Sequence, residues 1–115
     1  MYQLTLERFQ HLLIAHLIGG LTLSTAVSLR HELEQIVMRE KKARDIILNL
    51  SMVEDVDNSG LGVLVAVSAF ARSHGKRFIL CQLTASIHEA LKHAAIDGFF
   101  PLMEEDEDLL AVMPD

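Results

Sequence analysis

The chain begins with a strict alternation of apolar and polar residues, which predicts a strand that buries one face. The apolar residues on the shared side of this strand are Tyr2, Leu4 and Leu6. After a predicted turn at Phe9-Gln10-His11, the run from Leu12 to Ile18 is almost continuously apolar, as expected of an inner strand of a sheet. Gly19-Gly20 is predicted to end this second strand.

A helical period then replaces the alternation. It predicts a helix that is capped by Ser24 or Thr25 and runs to about Arg39. The apolar residues predicted for its buried stripe are Val27, Leu29, Leu33, Ile36 and Val37. The charged run Arg39–Arg44 is predicted to be a solvated turn, and Ile46–Leu50 is predicted to be the next buried strand.

The rest of the chain continues to alternate between helix and strand. A helix over Leu61–Ala71, beginning just after Ser59, is predicted first, and a strand over Arg77–Leu83 follows it. The next helix is predicted to begin at a capping box of Ser86 and Glu89 and to run through Ile96. An edge strand over Phe99–Leu102 and a last helix opened by the acids Glu104–Asp108 complete the predicted elements. Gly75 is predicted to be the left-handed residue that ends the first of these helices.

This order of elements predicts an α/β fold. Successive strand–helix–strand units favour a parallel sheet with right-handed crossovers, and the opening hairpin adds an antiparallel edge. We expect one domain over residues 1–115. Its mixed, mostly parallel sheet should have about four to five strands, accompanied by about four helices.

Composition narrows the functional classes. A net charge of −6 argues against non-specific binding of nucleic acid, which needs a basic surface. The single cysteine, Cys81, cannot form an internal disulfide, and its apolar neighbours predict a buried thiol; a reducing cytoplasm is expected. The apolar run Leu12–Ile18 is far shorter than the about 20 residues that span a bilayer, so no membrane insertion is expected.

No catalytic constellation is visible. The six histidines show no spacing typical of metal ligands, and neither a Gly-x-Ser-x-Gly motif nor a phosphate-binding Gly-x-x-x-x-Gly-Lys loop occurs. We therefore expect no catalytic residues, no metal and no cofactor. An interaction module fits the sequence better than an enzyme does.

The most informative stretch is Asp57-Asn58-Ser59-Gly60-Leu61-Gly62, between the predicted strand Ile46–Leu50 and a nearly chargeless helix. A serine at a helix start lies beside backbone N–H groups that have no intrahelical partner, which suits a phosphate. Two readings of Ser59 remain open from these residues: a regulatory serine, or a simple helix cap. The helix is apolar on more than one face, so its second face is either covered by another helix or used for docking.

At this point the chain resembles a known family. The Asp-x-Ser-Gly-Leu-Gly motif, the Gly19-Gly20-Leu21 turn and the ending Ala94–Pro101 are similar to the STAS domain of bacterial anti-anti-sigma factors. The resemblance covers nearly the whole chain. In that family the unmodified domain binds an anti-sigma factor that is also a serine kinase, which releases a sigma factor. Phosphorylation of the domain abolishes binding, and a metal-dependent serine phosphatase restores it.

The resemblance implies roles for particular residues. Ser59 would be the phosphoacceptor, and the partner-binding residues would be Asp57, Asn58, Ser59, Gly60, Leu61 and Gly62. Thr22 stands where many members carry an aspartate near the partner surface, so the resemblance gives the class of partner and not the particular one. The alternative is a constitutive STAS adaptor, a subunit of a larger complex such as a transporter ATPase or a stress-signalling assembly, with Ser59 unmodified.

Overall fold

The computed structural model describes residues 1–96, 98 and 100, and the backbone of residues 102 and 103. Strands and helices alternate along this part of the chain. In chain order they are β1 (Tyr2–Phe9), β2 (Leu12–Leu21), α1 (Leu23–Arg39), β3 (Asp45–Val56), α2 (Asn58–Ser73), β4 (Arg77–Cys81), α3 (Ala85–His93) and β5 (Leu102–Met103). The helix predicted from Glu104 lies outside the described residues.

The five strands form one sheet in the order β1-β2-β3-β4-β5. The hairpin β1–β2 is antiparallel, and every later pair of neighbours is parallel. The predicted α/β class and the mixed, mostly parallel sheet are therefore confirmed. Because each parallel connection passes through a helix, α1 and α2 both start where a strand ends, at the same edge of the sheet.

The main core lies between one face of the sheet and the three described helices. Its largest fully buried side chains include Leu13, Leu17, Leu21, Leu29, Leu33, Ile36, Leu48, Leu50 and Leu64. Packing of this kind stabilises by about 25 cal/mol per Å² of apolar surface removed from water. Cys81 is buried on the opposite face of the sheet, beside Ile47 and Ile79, which confirms the prediction of a buried thiol.

The prediction that Gly19-Gly20 ends the second strand is wrong, because β2 continues through both glycines to Leu21. The register of β2 against β3 shifts between His16 and Ile18 and again between Gly19 and Gly20. Gly19 has φ +111°, and a Cβ on it would lie 2.5 Å from the carbonyl oxygen of Met1. The glycines therefore allow an irregular strand to pass close to the chain start, as at a β-bulge.

Helix starts were the least accurate part of the prediction. The N-cap of α1 is Thr22 and not Ser24 or Thr25; Thr25 lies three residues on, where its hydroxyl oxygen accepts a 3.1 Å hydrogen bond from the Thr22 N–H. The N-cap of α3 is Thr84 and not Ser86, because the Thr84 hydroxyl accepts a hydrogen bond from the Ile87 N–H. In each case a hydroxyl residue two or three positions earlier than predicted begins the helix.

Strand lengths also differ from the prediction. β3 extends from the predicted Ile46–Leu50 core to Val56, β4 ends at Cys81 and not at Leu83, and the edge strand is Leu102–Met103. Gly75, with φ +72°, follows α2 as predicted. The long β3 matters for function, since it brings the residue after Val56 level with the end of β2.

Candidate functional site

The candidate site lies where α1 and α2 begin, side by side, at the carboxyl edge of the sheet. Leu21 and Val56 are paired across β2 and β3, and both helices start within two residues of that pair. Two helix N-termini therefore converge on one surface. Their unpaired N–H groups and their dipoles both favour a negatively charged group there.

Asp57 provides that negative charge from within the chain. Its Oδ1 accepts a hydrogen bond from the Gly60 N–H and its Oδ2 accepts one from the Leu23 N–H, both at 3.0 Å. We call this pair of bonds the Asp57 brace, because one carboxylate ties the start of α2 to the start of α1. The Gly60 N–H first, and then the Leu23 N–H, lower the pKa of Asp57 below its ordinary value. These hydrogen bonds favour the charged form of Asp57, because both oxygens of an ionised carboxylate accept and neither carries a proton.

The Asp57 brace excludes one of the two readings of Ser59. Asp57 is the N-cap of α2, and Ser59 lies two residues later, inside the first helical turn. The reading of Ser59 as a simple helix cap is therefore wrong. The Ser59 hydroxyl is not needed to cap the start of α2, which leaves it available for another role.

Gly60 is the point at which the start of α2 contacts the end of β2, just before α1 begins. An added Cβ would lie 1.8 Å from the carbonyl oxygen of Leu21, far inside any allowed contact. Gly62, two residues on, has open space at the same position. The glycines of the motif thus differ in role, since Gly60 permits close packing and Gly62 leaves the surface flat.

Ser59 is half-buried and borders a groove of about 270 Å³ between α1 and α2. We call this the Ser59 groove; it is lined by Ala26, Val27, Arg30, Ser59, Gly62 and Val63. Among these lining residues Arg30 is the only ionisable one. Apart from Ser59 itself, the lining thus offers one guanidinium and apolar or small side chains, and none of these lining residues is a carboxylate or an imidazole that could act as a general base.

Leu23 and Val27 form an exposed apolar rim beside this groove, with 72% and 84% of their surface accessible. Sequence reasoning placed Val27 in the buried stripe of its helix, and that placement is wrong. The spacing of the residues argues against burial of both Val27 and Leu29. They are two residues apart, so their side chains point about 200° away from each other on a helix. Leu23 and Val27 are four residues apart on α1, so they lie on the same face of the helix and form one exposed apolar patch.

Of the other residues predicted to bind the partner, some are exposed and some are buried. Asn58 and Gly62 are exposed, whereas Leu61 is buried in the core. A second groove of about 410 Å³ runs from Asn58 and Gly62 towards the end of α3, where Ile96 and His93 line it. The accessible part of the motif therefore consists of Asp57, Asn58, Ser59 and Gly62.

Metal-binding clusters and membrane spans are both lacking among the described residues. This part of the chain holds no group of three or more histidine, cysteine or acidic side chains placed to bind a metal ion. No helix within it is both long enough and apolar enough to cross a bilayer.

The sequence matches a family model, and the fold agrees with that family. The family model of the STAS domain matches residues 3–109. The chain therefore belongs to the STAS domain family, as the motif-based resemblance predicted.

Individual relatives are distant but span the same length. The chain is 23% identical over 108 residues to the anti-sigma F factor antagonist of Paenibacillus polymyxa, covering 94% of this chain and 92% of the relative. It is 27% identical over 105 residues to a protein assigned as the anti-sigma factor antagonist BtrV of Bordetella bronchiseptica, covering 91% and 89%. The phosphorylated form of the Bacillus cell fate determinant SpoIIAA has a similar fold, with a TM-score of 0.69 at 17% identity over 97% of this chain and 99% of that one.

Proposed function

We propose that this domain is a phosphorylation-controlled anti-anti-sigma factor of the bacterial cytoplasm. In this proposal the unmodified domain binds an anti-sigma factor serine kinase and so regulates transcription, without being an enzyme itself. The observation that carries the proposal is the position of Ser59, two residues after the cap of α2 and on the border of an apolar groove. The names of the two sequence relatives, both anti-sigma factor antagonists, support the same role.

The docking surface in this proposal is the exposed part of the motif together with the rim of α1. Leu23 and Val27 would supply apolar contact area, and Ser59 and Gly62 would let the partner approach closely. Burial of these two side chains on binding would stabilise the complex by about 25 cal/mol per Å² of apolar surface removed from water. The kinase would then hold Ser59, the residue that it phosphorylates, at the centre of the interface.

Phosphorylation of Ser59 would end this contact by a local effect. A phosphate adds about −1.5 to −2 charge and three strong acceptors. Within a closed interface that charge would lose its hydration, and the partner would be expelled. We expect the fold to be retained, since the helix dipole favours a negative group in the first turn and offsets part of its repulsion by Asp57. A metal-dependent serine phosphatase would restore the binding form.

The experiment is affinity capture of the kinase from the host, followed by binding and labelling of variants. We expect phosphate on Ser59, retained binding but no switching for Ser59→Ala, and at least a tenfold loss of affinity for Ser59→Asp, about 1.4 kcal/mol. Thermal melting of Ser59→Asp should match the wild type.

Ser86→Asp is a matched control, because Ser86 occupies the same second helical position in α3 and is exposed. It should bind like the wild type. Label on Ser51, Ser68 or Thr22 with none on Ser59 would contradict the proposal. Equal affinity of the unmodified and phosphorylated proteins would favour the constitutive adaptor instead.

A further inference from the structure

Arg30 is the one cation among the residues that line the Ser59 groove. It projects from α1, its side chain is 57% exposed, and its Nε donates a 3.0 Å hydrogen bond to Oε2 of Glu34 one turn later. The same side chain lines the groove opposite Ser59 and Gly62. An exposed pair at this helical spacing is weak, so the guanidinium can change partner at little loss.

The helix start alone is a poor receptor for a phosphate on Ser59. The Gly60 N–H and the neighbouring Leu23 N–H already donate to Asp57. A phosphate at Ser59 would lie close to that carboxylate and be repelled by it. A cation within the groove is needed to offset the repulsion, and Arg30 is the one that the lining provides.

We propose that Arg30 is the internal receptor of the Ser59 phosphate, exchanging Glu34 for the phosphate oxygens and linking α1 to α2 across the groove. This inference rests on the proposed phosphorylation of Ser59. A guanidinium presents two parallel N–H groups that match two phosphate oxygens, and such a pair is stronger than one with a lysine. In the linked state Arg30 and the phosphate would fill the groove beside Val27. The docking surface would then change both in shape and in charge.

The test places phosphoserine at position 59 during translation, so that no kinase is required, and follows the phosphate by phosphorus NMR as a function of pH. The second pKa of phosphoserine is about 6. In each variant the carboxylate of Asp57 remains, so a difference between the wild type and an Arg30 variant reports Arg30. We expect Arg30→Gln to raise this pKa by about half a unit or more relative to the wild type, because a nearby cation favours the dianion. Arg30→Lys should give an intermediate value, and Glu34→Gln should lower the pKa by removing the competing acceptor.

Two controls make the result decisive. Phosphoserine placed at Ser86 should titrate identically with and without Arg30, and the circular dichroism of Arg30→Gln should match the wild type because Arg30 is exposed. Equal phosphate pKa values in the wild type and Arg30→Gln would overturn the proposal. Because the phosphate is introduced without a kinase, this outcome is independent of partner binding, and the proposed function can fail while the link is observed.

Discussion

Gly60 packs directly against the Leu21 carbonyl at the end of β2, so substitutions at this residue test how closely the start of α2 approaches that strand. We expect Gly60→Ala to lower the free energy of unfolding by at least about 3 kcal/mol, because the new methyl group would overlap the Leu21 carbonyl. Gly62→Ala should instead raise it by about 0.5–1 kcal/mol, since it adds helix propensity in open space. Urea unfolding of both variants measures the contrast. Similar stability of the two variants would show that the start of α2 is not in close contact with the end of β2.

Asp57 should make the stability of the domain depend on pH. Its pKa is lowered in the folded chain, mainly by the Gly60 N–H and then by the Leu23 N–H. The carboxylate therefore contributes stability above its unfolded pKa of about 3.9, and this contribution is lost as the pH falls through the lower folded value.

Asp57→Asn tests this dependence, because an amide has one acceptor oxygen for the two N–H groups of the brace. The variant should be less stable than the wild type at neutral pH, and the difference should shrink below about pH 4 as Asp57 itself becomes protonated. Urea midpoints measured across this range give the comparison. A difference that stays constant with pH would mean that the charge of Asp57 contributes nothing.

At the scale of residues the sequence selected the candidate site but did not predict its geometry. The motif pointed to Ser59 and its neighbours, because a serine followed by glycine at a strand-to-helix turn lies beside free backbone N–H groups. It did not show that the cap is Asp57, since aspartate and serine are both good caps and only the hydrogen bonds distinguish them. The bond to Leu23 joins residues far apart in the sequence, so no local pattern could predict it.

Among the elements, β1 is tied to α1 by a hydrogen bond between side chains. The Tyr2 hydroxyl donates a 2.7 Å hydrogen bond to Oε1 of Glu32. Burial first, and then this bond to Glu32, raise the pKa of Tyr2 from 10.0 to about 12. For a phenol with a raised pKa, the contribution to stability is complete below the unfolded pKa and is lost as the pH rises through the folded value. Attachment of β1 to the helix should therefore weaken only in strong alkali.

Tyr2 is the only tyrosine and the chain has no tryptophan, so near-ultraviolet absorbance reports this phenol alone. We expect a midpoint near 12 in the folded protein and near 10 in urea. Glu32→Gln should move the folded midpoint part of the way down, because burial still acts on the phenol. An unchanged midpoint in Glu32→Gln would show that the bond does not form in solution.

Element boundaries were harder to predict than element types. Alternation and helical period located the described strands and helices, because burial imposes these periods on the sequence. The ends were decided by contacts that have no local signature. β2 passes through Gly19-Gly20 since the chain start pairs with it there, with the Gly20 N–H donating to the Met1 carbonyl. The exposed rim of Val27 likewise follows from how α1 lies on the sheet.

On the scale of the whole molecule, charge is distributed very unevenly along the chain. Residues 104–115 contain six of the sixteen acids and none of the ten lysines and arginines, so the residues before them are balanced at ten of each. A partner that contacts residues 1–103 alone therefore meets a part of the protein without net formal charge. Apolar contact and shape should govern binding to such a surface more than long-range attraction, and one added phosphate is a large change to it.

The topology was predictable because it depends on order more than on detail. Once the strand–helix–strand units were recognised, right-handed crossovers left few alternatives, and the parallel sheet with an antiparallel edge followed. The same topology places the carboxyl ends of β2 and β3 together, which is why the site lies where it does. The helix predicted after Glu104 remains a prediction.

The Asp57 brace also bears on how an enzyme could recognise this protein. A short peptide with the sequence Asp57–Gly62 contains the whole motif, yet it lacks the Leu23 N–H that the carboxylate engages and the α1 side chains that border Ser59. These parts come together only when β2 and β3 are paired. A kinase acting on Ser59 would thus read a folded surface and not a linear consensus, and unfolded or half-synthesised chains would escape modification.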